Sequence, residues 1–223
     1  MLTKILPLEN GDRLNRYEFE KRSQTISKSQ KAELIDGVVY IDRAVKYQGH
    51  GVPHGYMIGW LASYVANTPG VELADNATVR LDLENAPQPD ILLRIKTELG
   101  GQSRISEDDY VEGAPELIIE IAGSSASYDL YDKLKVYHRH GVKEYIVWQV
   151  YEQKMDWFCL QEGEYIKLEA DSSGLIESKN FPGLVLSIKE MLELNLAKVL
   201  AILNENINTE KHRDFIKKLN KVN

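Results

Sequence analysis

The sequence predicts an α/β fold: a central sheet covered on both faces by helices, followed by a C-terminal helical extension. Three observations carry this expectation. ELIIEIA, residues 116–122, has apolar residues on both sides of Glu120, the pattern of a strand buried on both faces. The helical segment DLYDKLKVYHRH and the strand KEYIVWQV follow at once, and strand, helix and strand within residues 116–150 are the signature of a crossover joining parallel strands. From Ser187 onward, Ile188, Met191, Leu192, Leu194, Leu196, Val199, Leu200 and Leu203 form a wide apolar helical stripe.

The elements follow in order. Residues 13–30 read as a polar helical segment. KAELIDGVVYI sets Leu34, Ile35, Val38, Val39 and Ile41 around the turn signal Asp36-Gly37, which predicts a hairpin. In HGYMIGWLASYVA, after Pro53, Met57, Ile58, Leu61, Tyr64 and Val65 recur at three- and four-residue spacing and predict a buried helix over 53–67. Strands are expected at VELADN, ATVRLDL, DILLRI and, beyond a Gly-rich loop over 100–113, ELIIEIA. Asp129 is the predicted N-cap of the next helix and Gly141 its stop. KMDWFCL and EYIKLEA alternate as a hairpin through Glu162-Gly163 that extends the sheet. Residues 209–223 carry five Lys or Arg against two acids and read as a solvated tail. The expected organisation is an N-terminal helical segment over 1–30, a core over 31–186 and a C-terminal helical tail over 187–223.

Composition bounds the function. With 223 residues, 43% hydrophobic and 27% charged, the chain suits one core with appendages. Its 27 basic and 34 acidic residues leave a net charge of −7, against a protein that coats nucleic acid with its whole surface, so any such contact is local. Cys159 is the single cysteine, which excludes an intrachain disulfide and a cysteine-based zinc site. No apolar run approaches the roughly 18 residues of a membrane span, and the first residues lack a signal-peptide pattern. A cytoplasmic protein without a membrane partner is expected.

Four charged residues break the patterns of their elements. Glu120 stands inside an apolar strand, where a carboxylate costs several kcal/mol unless it is protonated, paired or bound to a cation. Asp90 opens DILLRI after Pro89, and two such acids on neighbouring strands would repel unless a hard divalent cation joined them. Lys133, three residues after Leu130 and four before Tyr137, falls on the inward side of its helix. Glu33, at the start of ELIDG, adds a fourth charge. Singly, each has a structural explanation: a turn, a surface acid, or a buried Glu120–Lys133 ion pair. Their combination on successive elements points to a site. His50 and His54 are separated by Gly51, Val52 and Pro53, which argue against one helix and a shared metal, and Gly123-Ser124-Ser125 lacks the pattern of a nucleophile elbow.

The order of motifs, ELIDGVV, a His-led helix, QPDILLRI and APELIIEIAGSSASYDLYDKLKVYHRHGVKEYIVW, resembles the Uma-type family of restriction endonuclease-like proteins within the PD-(D/E)XK nuclease superfamily. The likeness runs from about Lys31 to Leu186. It implies a mixed central β-sheet flanked by α-helices, Asp90 and Glu120 as ligands of Mg²⁺ or Mn²⁺, Lys133 as the catalytic lysine, Glu33 as an accessory acid, and His54 as a histidine that often starts the second helix. The superfamily lysine two residues after the second acid is replaced here by Ala122, so Lys133 has to supply that cation. The implied activity is metal-dependent hydrolysis of nucleic acid, DNA first, through a metal-activated water, and the apolar C-terminal stripe suggests a homodimer. Two other readings stand beside it: a nuclease-fold binding or assembly module without turnover, and a hydrolase of other phosphate esters.

Overall fold

The computed structural model describes residues 5–27, 30–41, 46–123 and 125–221. Helix α1, Arg16–Ser23, starts after Asn15, whose side-chain oxygen accepts the Glu18 N–H at 3.0 Å. It is shorter than the expected 13–30 because Thr25 Oγ1 donates to the Arg22 carbonyl and the chain turns away. Residues 28 and 29 of that expected segment lie outside the described residues. Strands β1, Ala32–Ile35, and β2, Val38–Ile41, form the expected hairpin, with Asp36 and Gly37 at φ of 48° and 73° as a primed turn requires.

A π-helical turn, Tyr47–Gly51, runs directly into α2, Val52–Ala66. Then come β3 (Val71–Asp75), β4 (Val79–Arg80), β5 (Ile91–Ile95), β6 (Arg104–Ile105), β7 (Val111–Glu112) and β8 (Leu117–Ala122). Of ATVRLDL only β4 is extended, because the N–H groups of Leu81 and Asp82 turn back onto the Asn85 carbonyl. The expected Gly-rich loop contains β6 and β7, which join β4 in a small sheet of order β4-β7-β6.

Helix α3, Ala126–Tyr128, passes through a second π-helical turn, Asp129–Lys133, into α4, Leu134–Arg139. Asp129 is therefore not an N-cap: the helix begins after Ser125, and Asp129 is buried within it. Strand β9 (Glu144–Gln149) follows, then β10 (Lys154–Gln161) and β11 (Glu164–Lys167), which pair through Glu162-Gly163. β12 (Leu175–Glu177) and β13 (Val185–Ser187) pair with each other before α5 (Ile188–Leu192), α6 (Leu196–Ile207) and α7 (Glu210–Leu219).

The central sheet has the order β11-β10-β9-β8-β5-β3. β8 and β9 are its parallel pair, as a crossover demands, and its other neighbours are antiparallel. Every residue of β8 and β9 is buried. One face sets Ile91, Leu93, Leu117, Ile119 and Ile121 against Met57, Trp60 and Leu61 of α2 and Met191, Val199 and Leu203 of the C-terminal helices. The other sets Leu92, Ile118, Ala122 and Val147 against Tyr137 of α4. Each such Leu or Ile contributes about 1.5–3 kcal/mol by leaving water. Glu120 alternates with Ile118 and Ala122, so the strand's period of two aims it at the α3–α4 side.

The C-terminal stripe packs within the chain: Met191, Val199 and Leu203 are buried in this core, with Ile188, Leu192, Leu194 and Leu200 partly buried against it. α7 is likewise no solvated tail: Thr209 caps it, and His212 and Leu219 anchor it in the core. Residues 222 and 223 of that segment lie outside the described residues. Among the described residues no helix is long and apolar enough to cross a membrane.

Candidate active site

Sheet register brings the two unusual acids together. β5 and β8 pair antiparallel with Ile91 opposite Ile119, which sets Asp90, one residue before β5, opposite Glu120. Both are buried, at 5% and 2% exposure. Asp90 Oδ2 accepts the Ile121 N–H at 2.8 Å and lies 3.2 Å from His50 Nε2, while Lys31 Nζ donates to Asp90 Oδ1 at 3.0 Å. Glu120 Oε1 accepts from Lys133 Nζ at 3.0 Å and from the Tyr137 hydroxyl at 2.9 Å; Glu120 Oε2 faces the Asp90 N–H at 3.4 Å.

Lys133 arrives from the π-helical turn Asp129–Lys133, whose extra residue per turn puts both of its end residues on the sheet side. Its ammonium lies 2.9 Å from Glu33 Oε2, 3.0 Å from Glu120 Oε1 and 3.6 Å from Asp129 Oδ1. Glu33 Oε1 also accepts the Gln88 N–H at 2.7 Å and so ties β1 to the segment that carries Asp90. Asp90, Glu120, Lys133 and Glu33 therefore meet in one buried cluster. Four further members escaped the sequence reading of the site: Lys31, His50, Asp129 and Tyr137.

The two histidines are closer than their spacing predicts. The π-helical turn Tyr47–Gly51 keeps the chain helical through Gly51, Val52 and Pro53, and the His50 and His54 rings come within 5.3 Å of each other. Pro53 stands at the joint where the π-helical turn passes into α2, and the run continues through it. His54 Nε2 lies 3.2 Å from the Asp90 carbonyl oxygen and 3.1 Å from Asp75 Oδ1. Both rings thus border Asp90. Gly123 lets this turn approach the end of β8, since a Cβ there would sit 2.9 Å from the Gly49 carbonyl oxygen.

Charge decides the state of each acid. Burial pushes Asp90 up, but Lys31, His50 and the Ile121 N–H more than offset this and hold it well below the usual carboxylate range. Burial pushes Glu120 up to about 8; Lys133 opposes that rise and Asp90 adds to it. Burial also raises Asp129. For Lys133 burial acts downward, yet Glu120, Glu33 and Asp129 raise it well above its ordinary value, so it stays an ammonium. Other buried acids differ in kind. Glu144 Oε1 accepts from the N–H groups of Lys179 and Asn180, and Glu116 accepts from those of Ile95 and Gln102, so each holds a loop in place.

The donor set can be weighed against a divalent ion. Four acids, Glu33, Asp90, Glu120 and Asp129, face two ammoniums, Lys31 and Lys133, which leaves a formal excess of two negative charges. Protonation of Glu120 relieves part of it. Among the described residues no group of three or more His, Cys, Asp or Glu is arranged to hold a metal ion. What the site offers is a pair of opposed carboxylates, the number with which Mg²⁺ is commonly held beside water and substrate oxygens. Asp90 and Glu120 fit that role.

The family Uma2, described as "Putative restriction endonuclease", matches residues 16–189. The chain belongs to the Uma2 family. A crystal structure of "a putative nuclease belonging to DUF820" from Anabaena variabilis superposes with a TM-score of 0.60 at 15% identity, covering 78% of this chain and 96% of that one, which shows a shared fold. No curated protein matches. In this Uma2 chain Ala122 occupies the strand position two residues after Glu120, packed in the core, and the cation on Glu120 comes from Lys133 instead. Ser124 lies outside the described residues, and Ser125 donates to Asp129 Oδ2 at 2.5 Å.

Proposed function

We propose that this chain is a metal-dependent endonuclease, acting first on DNA, with Mg²⁺ or Mn²⁺ held by Asp90 and Glu120. The observation that carries the proposal is the opposition of these two acids across β5 and β8 with the Lys133 ammonium 3.0 Å from one of them. A divalent ion there would supply charge stabilisation at the phosphoryl oxygens and a water of lowered pKa. The chain's own residues do the rest. Lys133, fixed by Glu33, Glu120 and Asp129, would supply a preorganised positive charge to a phosphate bound at the two acids, at no cost of rearrangement as negative charge builds. The Tyr137 hydroxyl fixes the Glu120 rotamer, and the Ile121 N–H and His50 fix that of Asp90. Glu33 positions Lys133 and, through the Gln88 N–H, the Asp90 segment. Uma2 membership supports nuclease chemistry in general; the DNA substrate and the metal are the finer parts of the proposal.

Supercoiled plasmid incubated with the purified chain and Mg²⁺ or Mn²⁺ is expected to be nicked, and EDTA, Asp90→Asn or Glu120→Gln should each stop it while circular dichroism stays native. Failure to cut DNA or RNA with either ion, or cleavage that survives both substitutions, would overturn the proposal. One observation favours a second reading, a binding module without turnover: Lys31 and His50 already compensate Asp90. Retention of DNA in Ca²⁺ with no cleavage in Mg²⁺ or Mn²⁺ would establish it.

A further inference from the structure

We infer that Lys31 is an exchangeable counter-ion of this site: its ammonium holds the Asp90 oxygen that a divalent ion needs, and the ion binds by displacing it. The inference rests on the reading of Asp90 and Glu120 as metal ligands. The carboxylate oxygens divide unevenly. Asp90 Oδ2 is engaged by the Ile121 N–H and His50, and Glu120 Oε1 by Lys133 and Tyr137. That leaves Asp90 Oδ1 and Glu120 Oε2 as the pair facing an incoming cation. Lys31 Nζ stands on the first of them at 3.0 Å, and Glu120 Oε2 has only the Asp90 N–H at 3.4 Å. An ammonium and a divalent ion cannot share Asp90 Oδ1 in so poorly hydrated a place without strong repulsion.

The two lysines of the cluster differ in exposure. Lys133 is 3% exposed and fixed by three carboxylates on a helix packed against the sheet. Lys31 is 17% exposed, directly precedes β1, and feels the charges of both Glu33 and Asp90. Lys133 sits deep in the cluster and Lys31 at its solvent edge, the side from which an ion would displace it. Displacement would have a second effect: in a chain whose net charge is −7, it frees an ammonium at the rim of the site to attract a polyanionic substrate.

Mn²⁺ is the probe. In isothermal titration, Lys31→Met and Lys31→Gln are expected to bind Mn²⁺ about tenfold more tightly than wild type, since each removes a competing unit charge at contact distance from the ligand. In the wild-type chain, a pulse of acetic anhydride read by peptide mass spectrometry should acetylate Lys31 several-fold faster in saturating Mn²⁺ than in its absence, with Lys133 protected in both. Equal or weaker Mn²⁺ binding by the variants, or Lys31 labelling that stays level or falls with Mn²⁺, overturns the inference and leaves the metal site standing. If wild type and both variants take up no Mn²⁺, the metal reading fails and Lys31 displacement fails with it.

Discussion

Replacing Lys133 by methionine removes the one ammonium shared by three buried carboxylates, at 2.9 Å from Glu33, 3.0 Å from Glu120 and 3.6 Å from Asp129. Methionine fills similar space, so the loss is of charge rather than volume. Breaking a buried ion pair from one side costs about 3–5 kcal/mol because the remaining charge is uncompensated. The response open to the site is protonation: burial raises Asp129 and Lys133 opposes that rise, so without Lys133 its carboxyl takes up a proton more readily. Lys133→Met is therefore expected to lose about 3–5 kcal/mol at pH 8 and markedly less at pH 5, where the carboxyls take up protons. The sign follows from linkage: the variant's folded state binds more protons than the wild-type folded state, so the stability gap between the two proteins widens as pH rises. Urea unfolding at pH 5, 6.5 and 8, followed by the fluorescence of the buried Trp60, Trp148 and Trp157, measures it. A loss under about 1 kcal/mol at pH 8, or a larger loss at pH 5 than at pH 8, would refute the reasoning.

Three further outcomes are expected. The wild-type metal-free chain should become less stable from about pH 5 to pH 8, because folded Glu120 keeps a proton up to about 8 that the unfolded chain releases near 4.5; Glu120→Gln should flatten that slope, by at most about 1.4 kcal/mol per pH unit, and equal slopes in the two proteins would contradict it. Tyr137→Phe, which leaves Glu120 Oε1 without its hydroxyl donor, should cost about 1–3 kcal/mol in the same unfolding assay. Ile119→Ala, at a fully buried position of the sheet face against α2, should cost about 2–5 kcal/mol in thermal unfolding while leaving the charged cluster on the opposite face in place.

Much of the site is legible in the sequence because its members violate the pattern of their own elements. Glu120 interrupts an apolar strand, Lys133 falls on the inward side of an amphipathic helix, and Asp90 starts a strand that must pair beside Glu120. The overlooked members violate nothing. Lys31 stands in a polar stretch where a lysine is ordinary, and its only signal is the two-residue spacing to Glu33 that puts both on one side of an extended chain. Asp129 reads as a cap because a helix cap and a buried polar partner call for the same residue type; its spacing of four from Lys133 was the available sign. His50 is hidden by the π-helical turn, which has no sequence period of its own, so Gly51-Val52-Pro53 reads as a break. In the fold, the long strands β5, β8, β9 and β10 show clear apolar runs, whereas the two-residue strands β4, β6 and β7 are too short to carry any periodicity.

The central claim, that two opposed carboxylates form a divalent-metal site, is tested most directly by a crystal soaked in Mn²⁺ and measured at the manganese absorption edge. An anomalous peak coordinated by both Asp90 and Glu120, absent from Asp90→Asn crystals, is the result expected. A fully loaded crystal with no peak between these two residues, or with manganese bound only elsewhere on the chain, would contradict it.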